Sequence, residues 1–165
     1  MKSLFSHQLL AVNMIKVQTE DFDIGALYQQ IIASENNPLG YGAVITFVGK
    51  VRDFNQEQTV SALSLEHYPG MTEKVLNEIS QQAMQRWPIA QPIIIHRVGD
   101  LQPGDQIVYI GVASAHRKAA FEACEFLIDY LKTKAPFWKK EKADDGYHWV
   151  DARESDQEAV SKWAK

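Results

Sequence analysis

Cysteine is nearly absent from this chain of 165 residues, which has one, Cys124. A lone thiol excludes an intramolecular disulfide and a cysteine-only zinc site, and the chain reads as cytosolic. Long apolar runs are also missing, with no stretch near the roughly 20 residues that span a bilayer. The first thirteen residues carry one lysine and a few apolar residues broken by Ser6, His7 and Gln8, too short and interrupted for a secretory core. They read as a loose leader, residues 1–13, ahead of a single domain over residues 14–165. No G-x-G-x-x-G, Walker A or G-x-S-x-G pattern occurs, which removes the common nucleotide-binding and hydrolase readings. The histidines His7, His67, His96, His116 and His148 show no ligand spacing, so neither a metal nor another cofactor is expected. Positive charge is not in excess: 17 Lys and Arg stand against 21 Asp and Glu. No global field therefore holds nucleic acid by counterion release, and any anion must be bound by a local cluster.

What is present suits a soluble globular fold, with 45% hydrophobic and 23% charged residues. Residues 15–18 have a short β-like pattern, and residues 21–33 place Ile24, Leu27, Ile31 and Ile32 at helical spacing. After the turn chemistry of Asn36, Asn37, Pro38 and Gly40, residues 43–51 are apolar and β-branched, as in a central strand. Residues 59–68 alternate like a second strand. Met71, Val75, Ile79, Ala83 and Trp87 then recur every four residues up to Pro88, predicting an amphipathic helix. Residues 93–98 and 106–113 flank Pro103, Gly104 and Asp105, predicting a β-hairpin. Ser114 is the expected N-cap of a helix that carries Ala119, Ala120, Phe121, Cys124, Leu127, Ile128 and Leu131 inward until Pro136 ends it. A short hairpin around Asp144, Asp145 and Gly146 follows, then a C-terminal helix capped by Ser155 with Glu158. This order predicts an α+β fold with a mainly antiparallel sheet.

Three basic points stand out. His116 and Arg117 fall in the first turn of a helix, beside free backbone N–H groups, which suits phosphate or carboxylate. They also read as plain decoration of a helix start, and spacing leaves both open. Lys132 lies in a last helical turn and Lys139 beyond Pro136, so they meet only by chain reversal. If they meet, one becomes a usable proton acceptor or nucleophile. Otherwise such lysines complement the helix dipole and lie in solvent. Lys50 and Arg52 close the apolar strand, and an arginine there can grip phosphate in bidentate fashion, though strand ends bear charge routinely. Cys124 sits on an apolar helix stripe as a small buried hydrophobe. Trp87, Trp138, Trp149 and Trp163 read as core or interface packing rather than a stacking platform.

The segments TFVGKVRDFN (46–55), LEHYPGMTEK (65–74), HRVGDLQPGD (96–105), SAHRKAAFEA (114–123), DYLKTKAPFWKKE (129–141) and WVDARESDQ (149–157) resemble, in order, the molybdopterin synthase large-subunit family. The resemblance implies an α/β hammerhead type of fold. It implies a sulfurtransferase that converts cyclic pyranopterin monophosphate to molybdopterin, in molybdenum cofactor biosynthesis. Two sulfurs would arrive on the thiocarboxylated C-terminus of a small ubiquitin-like carrier subunit. The implied assembly is a heterotetramer around a central homodimer. Carried over by motif, Lys132 and Lys139 are the catalytic pair, while Lys50, Val51, Arg52, His116, Arg117, Lys140 and Glu141 bind substrate. The rival readings are an adaptor that binds the carrier without turnover, and an unrelated small anion-binding module.

Overall fold

A computed structural model describes residues 14–33, 40–52, 54–55, 58–59, 62–151 and 154–164. The expected leader, residues 1–13, and most of the Asn36 to Gly40 turn lie outside them. In chain order the elements are β1 (Ile15–Gln18), α1 (Ile24–Ile32), β2 (Ala43–Lys50), β3 (Phe54–Asn55), β4 (Gln58–Thr59), β5 (Ala62–His67), α2 (Met71–Arg86), β6 (Ile93–Arg97), β7 (Gly99–Leu101), β8 (Gln106–Ser114), α3 (Arg117–Lys134), β9 (Phe137–Ala143), β10 (Gly146–Val150) and α4 (Glu154–Ser161). The class is α+β, with two four-stranded sheets where one was expected, ordered β1-β6-β8-β2 and β10-β9-β5-β7. The pairing of β1 with β6 is parallel; the other described pairings are antiparallel.

The first sheet is covered on both faces, because its central strands alternate two apolar sets. Ile94, Val108, Ile110 and Val112 pack with Leu76, Ile79, Phe126 and Leu127 of α2 and α3. Ile93, Ile95, Tyr109 and Ala113 pack under Leu27 and Ile31 of α1. Leu63, Leu65, Val98 and Leu101 give the second sheet its own apolar face, which also takes Val51 and Phe137. No helix among the described residues is long and apolar enough to cross a membrane.

Local rules explain most boundaries. Asp23 caps α1 by accepting from the Ala26 N–H at 2.9 Å. Gly70, at φ 83°, starts α2 and donates its N–H to Glu73 Oε2 at 2.7 Å. Pro136 leaves Ala135 extended, so α3 stops at Lys134.

Several expectations need correction. In α2 the buried residues include Thr72, Leu76 and Ser80, while Met71 is exposed. A row spaced by four drifts about 40° per step against a period of 3.6, so it cannot stay inside over four turns. Ser114 is the last residue of β8, and its buried hydroxyl donates to the Pro88 carbonyl at 3.0 Å. His116 takes the N-cap position instead, without a side-chain cap. Phe121 points to solvent and Phe126 is the buried aromatic of α3. Ser155 lies inside α4, which begins at Glu154.

Candidate active site

A cavity of about 340 Å³ opens where the end of the first sheet, the last turns of α3 and the inner face of the second sheet meet. Each wall follows from local periodicity. On α3, Ile128, Leu131 and Lys132 recur at helical spacing and line it, with Ala135 just past the helix end. Leu131 is buried and Lys132, beside it, is exposed. Past Pro136 the chain turns back as β9, whose alternate residues Phe137, Lys139 and Glu141 face the cavity. Chain reversal thus brings Lys132 and Lys139 onto one cavity from a helix end and a strand.

The third wall is the end of β2. Its ladder with β8 shifts register between Gly49 and Lys50. The chain then continues through Lys50, Val51 and Arg52, all on the cavity wall. Val51 is held in place by the expected Pro103, Gly104 and Asp105 turn. Its N–H donates to the Asp105 carbonyl at 2.9 Å, and its carbonyl accepts from the Gly104 N–H at 2.9 Å. Buried Val51 pins the segment, and Lys50 and Arg52 on either side remain exposed.

The electrostatics are mixed. Lys139 Nζ lies 3.2 Å from Glu141 Oε1, with the carboxylate side chain only 13% exposed. Asp151 and Asp156, from beyond β10 and from α4, complete the rim with two more carboxylates. Four cationic side chains, Lys50, Arg52, Lys132 and Lys139, share the wall with three acids. Such an arrangement, with one more cation than acids, can hold an anion locally in a chain of net negative charge.

His96 also lines the cavity, a position that spacing did not reveal. Its ring stacks on Phe137 at 3.9 Å between centroids, and Nδ1–H donates to the Arg97 carbonyl at 2.8 Å. Burial, aided by the nearby charge of His67, pushes its pKa down to about 4. His96 is therefore a neutral imidazole at neutral pH. The signal that could have found it is its place in β6 directly after the apolar run Ile93, Ile94 and Ile95.

Three of the residues singled out lie elsewhere. Lys140 faces the other side of the second sheet, 3.2 Å from Glu66 and over the Trp149 ring at 4.2 Å. His116 and Arg117 are exposed at the far end of α3. Fifteen residues of helix separate Arg117 from Lys132, about 22 Å of axial rise. Cys124 is buried, its thiol pushed up to about 12 by burial, which leaves it unreactive as a sulfur carrier.

The profile of the family described as MoaE protein matches residues 17–134, spanning β1 to the end of α3. The chain belongs to the MoaE protein family. The molybdopterin synthase catalytic subunit of Escherichia coli (strain K12) is 51% identical over 154 residues, which cover 93% of this chain and 100% of that protein. Among solved structures, the molybdopterin biosynthesis MoaE protein from Burkholderia ambifaria MC40-6 superposes with a TM-score of 0.77 at 51% identity, covering 92% of this chain and 97% of that one. Molybdopterin synthase from Staphylococcus aureus gives 0.75 at 34% identity over 84% of this chain and 97% of that one. Solved members of the MoaE family thus share this fold.

Proposed function

We propose that the chain is the catalytic subunit of a molybdopterin synthase, which moves two sulfurs from a thiocarboxylated carrier onto cyclic pyranopterin monophosphate. The reading is supported above all by Lys132 and Lys139 lining one cavity together with Lys50, Val51 and Arg52. The carrier's C-terminal tail enters this cavity and presents its thiocarboxylate to the pterin. In each of two rounds the thiocarboxylate sulfur forms a C–S bond to a pterin side-chain carbon as that carbon's C–O bond breaks, and water then hydrolyses the resulting thioester, which releases the carrier as a carboxylate and leaves the sulfur on the pterin. Lys132 serves as acid or base, or transiently engages the carrier carboxyl. Lys139 stabilises the negative charge that develops as the cyclic phosphate opens. Lys50 and Arg52 hold phosphate, the arginine by paired N–H donors. No nucleophilic cysteine is required, since sulfur comes from outside.

The assembly is a heterotetramer of two such chains and two carriers, set in the cytoplasm. His116 and Arg117 join the substrate site across a subunit boundary, and Lys140 and Glu141 support it from β9. Reconstituted sulfur transfer with precursor and thiocarboxylated carrier tests the proposal. Lys132→Ala and Lys139→Ala should each fold and lose on the order of 10²–10⁴ in rate. Normal conversion by either variant would remove that lysine from the chemistry. Carrier binding without product from the unaltered chain would leave the adaptor reading instead.

A further inference from the structure

His96 is only 5% exposed, yet it lines the cavity and has no part in the chemistry described so far. It follows Ile94 by two residues on β6 and stands beside Val108 of β8, so it lies on the α3 side of the first sheet. A backbone carbonyl only accepts, so the contact with the Arg97 carbonyl places a proton on Nδ1. The neutral ring then keeps a lone pair on Nε2, and among the described residues no donor is bonded to it. A buried acceptor left unmet costs free energy, which a donor inside the cavity would offset.

The rest of the wall tells what kind of donor fits. Its charged groups come from the ends of elements: Lys50 and Arg52 from the end of β2, Lys132 from the last turn of α3, Asp151 from just past β10. Phe47, Leu65, Ile107, Leu131 and Phe137 make an apolar part, and His96 belongs with it, because its ring stacks on Phe137 only 18° from parallel. Lysine and arginine donate and never accept. Among the described residues His96 is the only neutral polar side chain on the wall. A matching ligand is apolar on its faces, carries an N–H on its edge, and bears negative charge at the other end.

We infer that His96 is a specificity-determining residue of the substrate site, whose Nε2 accepts a hydrogen bond from an N–H of the pterin ring while the cations hold the phosphate. The identity of the ligand rests on the proposed function; the unmet acceptor rests on the geometry alone. The Arg97 carbonyl fixes the tautomer and Phe137 fixes the plane of the imidazole, so the lone pair has one direction. Phe137 and Lys139 are two residues apart on one face of β9, about 7 Å along the strand. The acceptor and the catalytic ammonium thus flank a length near that of a fused two-ring heterocycle. A phosphorylated ligand without such an N–H, a sugar phosphate for example, leaves Nε2 unmet and binds more weakly.

Calorimetry on the chain without carrier, with cyclic pyranopterin monophosphate and inorganic phosphate as separate probes, isolates this contact from turnover. His96→Phe keeps the stack but has no acceptor, and its Kd for the precursor should rise about 10- to 100-fold. His96→Gln carries an amide oxygen that reaches the position of Nε2, so its Kd should stay within about fivefold of normal. Binding of inorganic phosphate should be equal in all three chains, which also reports that the variants are folded. In the sulfur-transfer assay His96→Phe should raise KM for the precursor more than it lowers kcat. An unchanged precursor Kd in His96→Phe, an equal loss in His96→Gln, or a matching loss of phosphate binding would overturn the inference. Each of those results leaves the sulfur-transfer reading standing so long as the unaltered chain makes product. Precursor binding that is lost in His96→Phe, with no product from the unaltered chain and carrier, upholds the contact and sinks that reading.

Discussion

Lys139 Nζ and Glu141 Oε1 sit 3.2 Å apart, two residues along the same face of β9. The carboxylate is the more buried partner, so it fixes where the ammonium stands more than the reverse. Removing its charge frees the lysine to sample other rotamers, while the cavity gains net positive charge. Glu141→Gln should therefore lower kcat roughly tenfold or more, since small misplacements of a reacting group are costly, without raising KM for the anionic precursor. Steady-state kinetics decide it: an unchanged kcat would deny Glu141 a positioning role.

How far such a site is legible in sequence differs from wall to wall. The Pro103, Gly104 and Asp105 turn and the stop at Pro136 are short-range chemistry, and both were readable. The turn that holds Val51 and the reversal that returns Lys139 toward Lys132 follow from them. The second sheet was not readable, because a three-residue strand such as β7 has too few positions to show a period, and its pairing with β5 is set by tertiary packing. The acidic rim escaped for a related reason. Asp151 and Asp156 look like ordinary surface charge until β10 and α4 bring them round to the cavity. The interior of α2 departs from the row spaced by four, because Thr72, Leu76, Ile79, Ser80 and Ala83 form its buried face.

Lys132 offers a separation of stability from activity. Its side chain is exposed in the last turn of α3, where a cation gains about 0.3–1 kcal/mol from the helix dipole. Lys132→Ala should thus cost less than about 1 kcal/mol in a denaturant titration. The same variant should lose at least roughly 100-fold in sulfur transfer. A large stability loss would mean that the residue works through the fold.

His96 makes the chain acid-sensitive. Its pKa falls from 6.5 to about 4 on folding, chiefly because burial disfavours the imidazolium. Between those values the unfolded chain binds more protons than the folded one, so stability drops as pH falls from about 6.5 toward about 4. The full effect is about 3 kcal/mol from this single group. Melts at pH 7, 5.5 and 4.5 should show a smaller acid decline for His96→Phe than for the unaltered chain. Phenylalanine keeps a ring against Phe137 but loses the hydrogen bond to the Arg97 carbonyl, so its stability at pH 7 should already be lower. Parallel melting curves across that range would show that His96 does not titrate on unfolding.

Trp163 anchors the C-terminal segment to the helical layer. Its indole N–H donates to Asp129 Oδ2 at 2.8 Å, and its carbonyl accepts from Arg86 at 2.7 Å. Its ring meets Trp87 edge-on at 5.5 Å and Phe126 at 5.6 Å. Next to it, Lys162 pairs with Glu125 and lies 3.5 Å from Asp129. Because the ring is only partly buried, Trp163→Ala should cost about 2–3 kcal/mol, below the usual range for a fully enclosed tryptophan. Asp129 would also lose its indole donor, although Lys162 remains beside it. The same anchor holds α4, which carries Asp156 to the cavity rim, so hydrogen exchange in residues 154–161 should rise in this variant well before the central strands open. Exchange in α4 that stays at the level of β8 would show that α4 is held by contacts other than this tryptophan.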